Sequence, residues 1–170
     1  MNLSLTPSFP VRGRAGNFLL WGDTMRVAFS DAFLTGHPDI DGEHLEIFEI
    51  INAVADAIAE REFEKCENLV SSFLNVCRDH FRHEEEILAE VNFPRLEEHA
   101  SFHADLLEKG QNIRLLCKRQ VDPSQLDNCF TEMVKFFLED VVRGDLDFVS
   151  FLQHKGVVPI RPEYPVRPDI

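Results

Sequence analysis

Long apolar runs are missing from this 170-residue sequence. No stretch approaches the roughly 18 residues that a membrane-spanning helix needs, so none is expected. Positive charge is also scarce: 17 Lys and Arg stand against 30 Asp and Glu, a formal net charge of −13. A surface that acidic repels phosphate backbones and anionic lipid, which argues against nucleic acid and membranes as partners. The four cysteines, Cys66, Cys77, Cys117 and Cys129, form no CxxC pair. Cys66, Cys77 and Cys117 read as small buried hydrophobes, and a reducing cytoplasm fits the four best. Tyr and Trp occur once each against 15 Phe, which supplies bulky packing material with few polar handles and suits a dry interior. Pro7, Pro10, Arg12 and Arg14 precede the short FLLW run, a poor match to a secretory signal.

What is present is helical periodicity. Ile40, His44, Ile47, Ile51, Val54 and Ile58 step by threes and fours along a first helix, which starts near Pro38 and runs to about Arg61. Asp39 and Asp41 stand where a helix start favours carboxylates. Leu69, Phe73, Val76, His80, Glu84, Ile87 and Val91 form a second stripe, stopped before Pro94. A third carries Leu96, His99, His103, Leu106, Ile113 and Leu116; Gly110 inside it costs about 1 kcal/mol relative to alanine. After a polar turn around Gln120 to Ser124, with Asp122 as cap and Pro123 at the first helical position, a fourth carries Leu126, Phe130, Met133, Phe137, Asp140, Gly144 and Phe151, with Asp147 or Phe148 between the last two. It ends near His154, with Gly156 as the stop.

The expected fold is therefore all-α, an antiparallel up-down four-helix bundle over residues 27–154. Residues 1–26 are expected to be an irregular extension, lying over the domain or mobile. Residues 155–170, with Pro159, Pro162, Pro165 and Pro168, are expected to be an extended tail.

Each core stripe is interrupted by residue types that ligate metals. The first helix supplies His44, the second His80 and Glu84, the third His99 and His103, and the fourth Asp140 with Asp145 or Asp147. A lone buried histidine is more often a hydrogen-bonded core residue. Four imidazoles and several carboxylates converging from four helices would instead repel one another and suffer severe desolvation without a cation. Nitrogen and oxygen donors without thiolate suit Fe, Mn or Zn. Six or seven donors exceed the needs of one tetrahedral zinc and suit two carboxylate-bridged ions.

From about Phe29 to Phe151 the sequence resembles the hemerythrin family. The resemblance rests on TGHPDIDGEH followed by LEIFEIIN, on HFRHEEEIL, on NFP followed by HASFH, and on FFLEDVVRGD. It implies a non-haem di-iron centre in a helical bundle, oxo- or hydroxo-bridged, binding dioxygen end-on at one iron, with Mn or Zn as substitute metals. It implies His44, His80, Glu84, His99, His103 and Asp145 as ligands, with Glu84 and Asp145 bridging. In the fourth helix the family usually places a tryptophan, a histidine four residues on and an aspartate five further; here those positions are Phe136, Asp140 and Asp145. Asp140 thus stands where the fifth histidine is expected, as a seventh candidate ligand. An ideal α-helix would align Asp140 better with Asp147, and the family spacing favours Asp145.

An anionic oxygen in place of a neutral imidazole stabilises the ferric state and lowers the potential. Faster autoxidation, or a shift toward oxidase or peroxidase chemistry, is the expected consequence. Three functions follow: a cytoplasmic module binding dioxygen for sensing, storage or delivery; a di-iron oxidase or peroxide-consuming enzyme; and an iron or redox sensor. Dioxygen or peroxide is the expected small ligand, and no protein partner is indicated. His83 reads as a flanking residue, Glu85 and Glu86 as a solvated face, His37 as part of the turn into the first helix, and His154 as a cation favourable to a helix C-terminus. Phe48, Phe81, Phe102 and Phe137 read as core aromatics that also wall off a dry pocket.

Overall fold

The computed structural model describes residues 18–21, 24–118 and 123–159. Its main elements are α1 (Pro38–Ala59), α2 (Phe63–Glu90), α3 (Leu96–Lys118), α4 (Pro123–Glu139) and α5 (Leu146–His154). A π-helical turn, Asp140–Asp145, joins α4 to α5, and the three act as one long fourth helix. Each helix packs on the next in sequence and α4 packs back on α1, closing the four-helix bundle expected from the periodicity.

Local chemistry sets the helix ends. Pro38 opens α1, followed by Asp39 and Asp41 in its first turn. The Asp41 carboxylate also accepts from the backbone N–H of Thr35 (2.6 Å), the Thr35 hydroxyl (2.8 Å) and the backbone N–H of Gly36 (3.0 Å), tying the preceding loop to the helix. Helices α1, α2 and α5 end alike, with a left-handed residue just beyond the cap: Arg61 (φ 58°), Asn92 (φ 56°) and Gly156 (φ 73°). In each, the next amide reaches back five residues, as in Glu62 N–H to the Ala57 carbonyl (2.8 Å), Phe93 to Leu88 (2.9 Å) and Val157 to Leu152 (3.0 Å). These are paired Schellman bonds, and they satisfy carbonyls that the helix leaves open.

Part of the stretch expected to be irregular is ordered. Phe18–Trp21 (β1) and Thr24–Val27 (β2) form a two-stranded antiparallel ribbon. Asn52 on α1 holds β2 through both of its amide atoms, accepting from Val27 N–H (3.0 Å) and donating to its carbonyl (3.2 Å). Arg26 pairs with Asp56, and Val27, Phe29 and Phe33 pack on the core. Residues 1–17, 22–23, 119–122 and 160–170 lie outside the described residues, and with them the expected turn and most of the expected extension and tail. Cys66 and Cys77 are free and buried, whereas Cys129 is disulfide-bonded, against the expectation of reduced thiols throughout.

The buried apolar residues fall into two clusters. A large one contains Ile47, Cys77, Phe81, Leu106, Phe137 and Val141. A smaller one, near the start of α1, contains Ile40, Leu88, Phe93, Phe148 and Leu152. Along every helix the buried side chains between the two clusters are polar: His44 between Ile40 and Ile47, Glu84 between Phe81 and Leu88, His99 and His103 between Phe93 and Leu106, and Asp145 between Val141 and Phe148. A polar layer thus crosses the bundle, closed by hydrocarbon on both sides.

Candidate metal centre

The polar layer brings together all seven residues singled out in the sequence. His44, His80, Glu84, His99, His103, Asp140 and Asp145 are all buried. Their facing atoms form two adjoining groups: His44, His80, Asp140 and Asp145 in one, and Glu84, His99 and His103 in the other, each within 4.8 Å. Glu84 Oε2 lies 3.3 Å from Nε2 of both His99 and His103. Asp140 spans the groups, with Oδ2 3.6 Å from His80 Nε2 and Oδ1 3.6 Å from His103 Nε2. His44 Nε2 is 3.0 Å from Asp145 Oδ2, close enough for an ion pair but without hydrogen-bond geometry.

The spacing of Asp140 and Asp145 depends on the π turn. Its hydrogen bonds close over five residues rather than four, so two positions five apart come onto nearly one face. In a continuous α-helix they would diverge, and the rival Asp147 would align. Asp147 is instead exposed and bonded to Arg95 at 2.5 Å, outside the cluster.

Many of the facing atoms lack hydrogen-bond partners. His44 Nε2, His80 Nε2, Glu84 Oε1, His103 Nε2, Asp140 Oδ1 and both Asp145 oxygens are buried and unpartnered. A buried polar atom without a partner costs about 1–3 kcal/mol, so a cluster of them implies a shared counterpart. Imidazole nitrogens and carboxylate oxygens converging on one another are the donor set of a hard-to-borderline cation, and the residues fit one.

The outward-facing ring nitrogens of His80 and His103 are satisfied by carboxylates, whereas His44 Nδ1 is buried without a partner. Glu43 Oε2 accepts from His80 Nδ1 (2.8 Å), and Glu43 Oε1 from His83 Nδ1 (2.7 Å). Glu85 Oε1 accepts from His103 Nδ1 (2.9 Å). An ionised carboxylate can only accept, so these bonds place a proton on Nδ1 and aim Nε2 into the cluster. Glu43 was not singled out in the sequence, and Glu85 reads there as part of a solvated face. Both flank the inner stripes, and their signal is adjacency to a candidate ligand, in the pairs Glu43–His44 and Glu84–Glu85. His83 is half-exposed and outside the cluster, and Glu86 is exposed. His37 is the residue preceding α1, and His154 lies in the last turn of α5.

The electrostatics are those of a site built for positive charge. Burial raises the Asp145 carboxyl, the Glu84 and Asp140 charges add to it, and His44 only partly offsets them, leaving it pushed up to about 8. Burial would depress His80, but Glu84, Asp140 and Glu43 outweigh it and hold its proton well above the ordinary imidazole range. His44, beside Asp145, and His103, beside Glu84 and Asp140, are raised against burial in the same way. Glu84, surrounded by His80, His103 and His99, is lowered despite complete burial. In the absence of metal, protons thus supply the positive charge the carboxylates demand.

Aromatic rings line the layer. Phe81 stacks on His103 (centroids 4.0 Å apart, 7° between planes), and Phe137 and Phe148 meet His44 and His99 edge-on. Phe136 packs against Phe73 and Phe81.

The sequence that builds this site is similar to those of known proteins. The pattern of the hemerythrin HHE cation binding domain covers residues 35–143, more than half of the chain. The chain belongs to the hemerythrin family. The match stops two residues short of Asp145. A myohemerythrin from Riftia pachyptila is 26% identical over 129 residues, covering 76% of this hemerythrin-family chain and 88% of the relative. A bacteriohemerythrin from Clostridium acetobutylicum is 23% identical, covering 72% of the chain and 98% of the relative. One from Aquifex aeolicus is 25% identical, covering 63% and 76%.

Proposed function

We propose that this hemerythrin-family protein holds two iron ions in its polar layer and binds dioxygen there, for sensing, storage or delivery. The observation that carries the reading is the convergence of seven buried donors with unpartnered atoms facing one another. His44, His80, Asp140 and Asp145 would hold one ion; Glu84, His99 and His103 would hold the other, with Glu84 and Asp145 as the bridging carboxylates. Mn or Zn could occupy the same donors. Bound iron would supply the electrons that a small oxygen ligand accepts.

The chain's own contribution is orientation and dryness. Glu43 and Glu85 fix the ring orientation of His80 and His103. The two apolar clusters and the Phe81, Phe137 and Phe148 rings keep water from the layer. No helix among the described residues is long and apolar enough to cross a membrane, and a cytoplasmic place of action belongs to the same reading.

Asp140 favours a second reading, a di-iron oxidase or peroxide-consuming enzyme. It presents a buried anionic oxygen to His80 and His103. The two are separated by loading iron anaerobically, admitting oxygen and then removing it, and recording the optical spectrum throughout. A stable oxygenated spectrum that reverts supports binding. Steady consumption of added peroxide with no stable oxygenated form supports the enzyme.

A further inference from the structure

Six of the seven clustered residues are closed off from solvent; His99 alone lines a surface cleft. The cleft, about 170 Å³, lies between the start of α3 and the π turn, with Arg95, Phe102, Arg143, Gly144 and Asp147 among its walls. Two larger clefts, one beside Lys109 and Glu139 and one beside Glu62 and Asn68, touch none of the seven.

At Gly144 the wall between cleft and cluster is thin. A Cβ built there would stand 3.0 Å from the Phe102 ring edge and 3.5 Å from Asp140 Oδ1. That oxygen is buried and has no hydrogen-bond partner. One methyl-sized step therefore separates the cleft floor from an unsatisfied atom of the cluster, and the Phe102 ring edge closes it. Phe102, which closes the step, is half-buried and lines the cleft. Arg95, paired with Asp147, and Arg143, paired with Glu139, place two guanidinium groups at the mouth of an otherwise acidic protein.

We propose that this cleft is the way in for small ligands, which pass between Phe102 and the Gly144 backbone, when the ring swings outward, to reach Asp140. The passage admits molecules of two or three heavy atoms, such as dioxygen, hydrogen peroxide or azide, and turns away larger substrates. This rests on the reading that the cluster holds iron, whereas the passage itself is a property of the chain.

A passage residue has a kinetic signature distinct from that of a site residue. It changes association and dissociation by the same factor and leaves the equilibrium constant alone, because the bound ligand does not occupy the passage. The test is stopped-flow azide binding and release on ferric iron-loaded protein of measured iron content. Phe102→Ala should speed both rates by about tenfold, equivalent to ~1.4 kcal/mol in the barrier. Gly144→Ala should slow both by a similar factor. Because Gly144 adjoins Asp145, a loss of iron in that variant leaves the decision to Phe102→Ala. Unchanged rates in Phe102→Ala with full iron content would overturn the proposal, as would a changed equilibrium constant with an unchanged association rate. Failure of the unmodified protein to bind iron would instead overturn the proposed function.

Discussion

Asp140 and Asp145 open and close a single π turn, and that turn is what brings both carboxylates into one buried cluster. A wider turn costs helix geometry, and such bulges collect at functional sites because a site can require a register that an α-helix cannot provide. Asp140 also stands where the resemblance to the hemerythrin family implies a histidine. Asp140→His should make iron-loaded, reduced protein more resistant to air, slowing its oxidation by on the order of tenfold, or ~1.4 kcal/mol of barrier. The rate of optical change after mixing with oxygen measures this. Equal or faster oxidation would remove the anionic-donor argument.

Glu43 is the orienting partner of His80, and the loss of its charge should be felt at the metal. Outer partners of metal-bound histidines contribute about 10–100-fold to affinity, and Glu43→Gln is expected to weaken iron binding within that range. Exposed Glu46, on the same helix, provides the control, since Glu46→Gln should change nothing. Competition against a chelator of known iron affinity reads both.

The five donors on α1 to α3 were legible in the sequence because each interrupts an apolar stripe at ordinary helical spacing: His44 among isoleucines, His80 and Glu84 four apart, His99 and His103 four apart. Asp145 was legible only through resemblance, since α-helical periodicity points to Asp147. Glu43 and Glu85 were not, because their role comes from histidines on a neighbouring helix rather than from their own stripe. The β1–β2 ribbon was missed as well. Its strands are four residues long, too short for an alternation signal, although Gly22-Asp23 between them is a pair common in two-residue hairpins.

Gly110 illustrates a sequence rule overridden by packing. Helix propensity alone predicts that alanine there would gain about 1 kcal/mol. An added Cβ would stand 2.5 Å from Leu74 Cδ2 and 3.3 Å from Phe136, so the buried Leu74 would have to shift. Overpacking of this kind costs about 1–3 kcal/mol, so Gly110→Ala should be neutral to destabilising. Urea unfolding of the metal-free protein decides the sign.

The decline of stability with rising pH should disappear when metal binds. In the metal-free protein His44, His80, His103 and Asp145 hold protons more tightly than the unfolded chain would. Their contribution to stability is whole below the unfolded values, about 6.5 for imidazole and about 3.9 for Asp, and is lost as pH rises through the folded ones. Glu84 and Glu43, both lowered, act oppositely, and their contribution is lost as pH falls below about 4.5. Metal-free Tm should therefore peak at about pH 5 and decline toward pH 8. Bound iron replaces those protons, so the decline should vanish in loaded protein and iron affinity should rise with pH. Calorimetry across this range, with and without iron, measures both.

The central claim is that the polar layer holds two metal ions rather than one. Anaerobic titration of the metal-free protein with ferrous iron, followed by removal of unbound metal and counting of what remains, tests it most directly. The seven-donor cluster predicts two iron ions per chain, with both lost together when Glu84 is replaced by alanine. A saturating stoichiometry of one would contradict it.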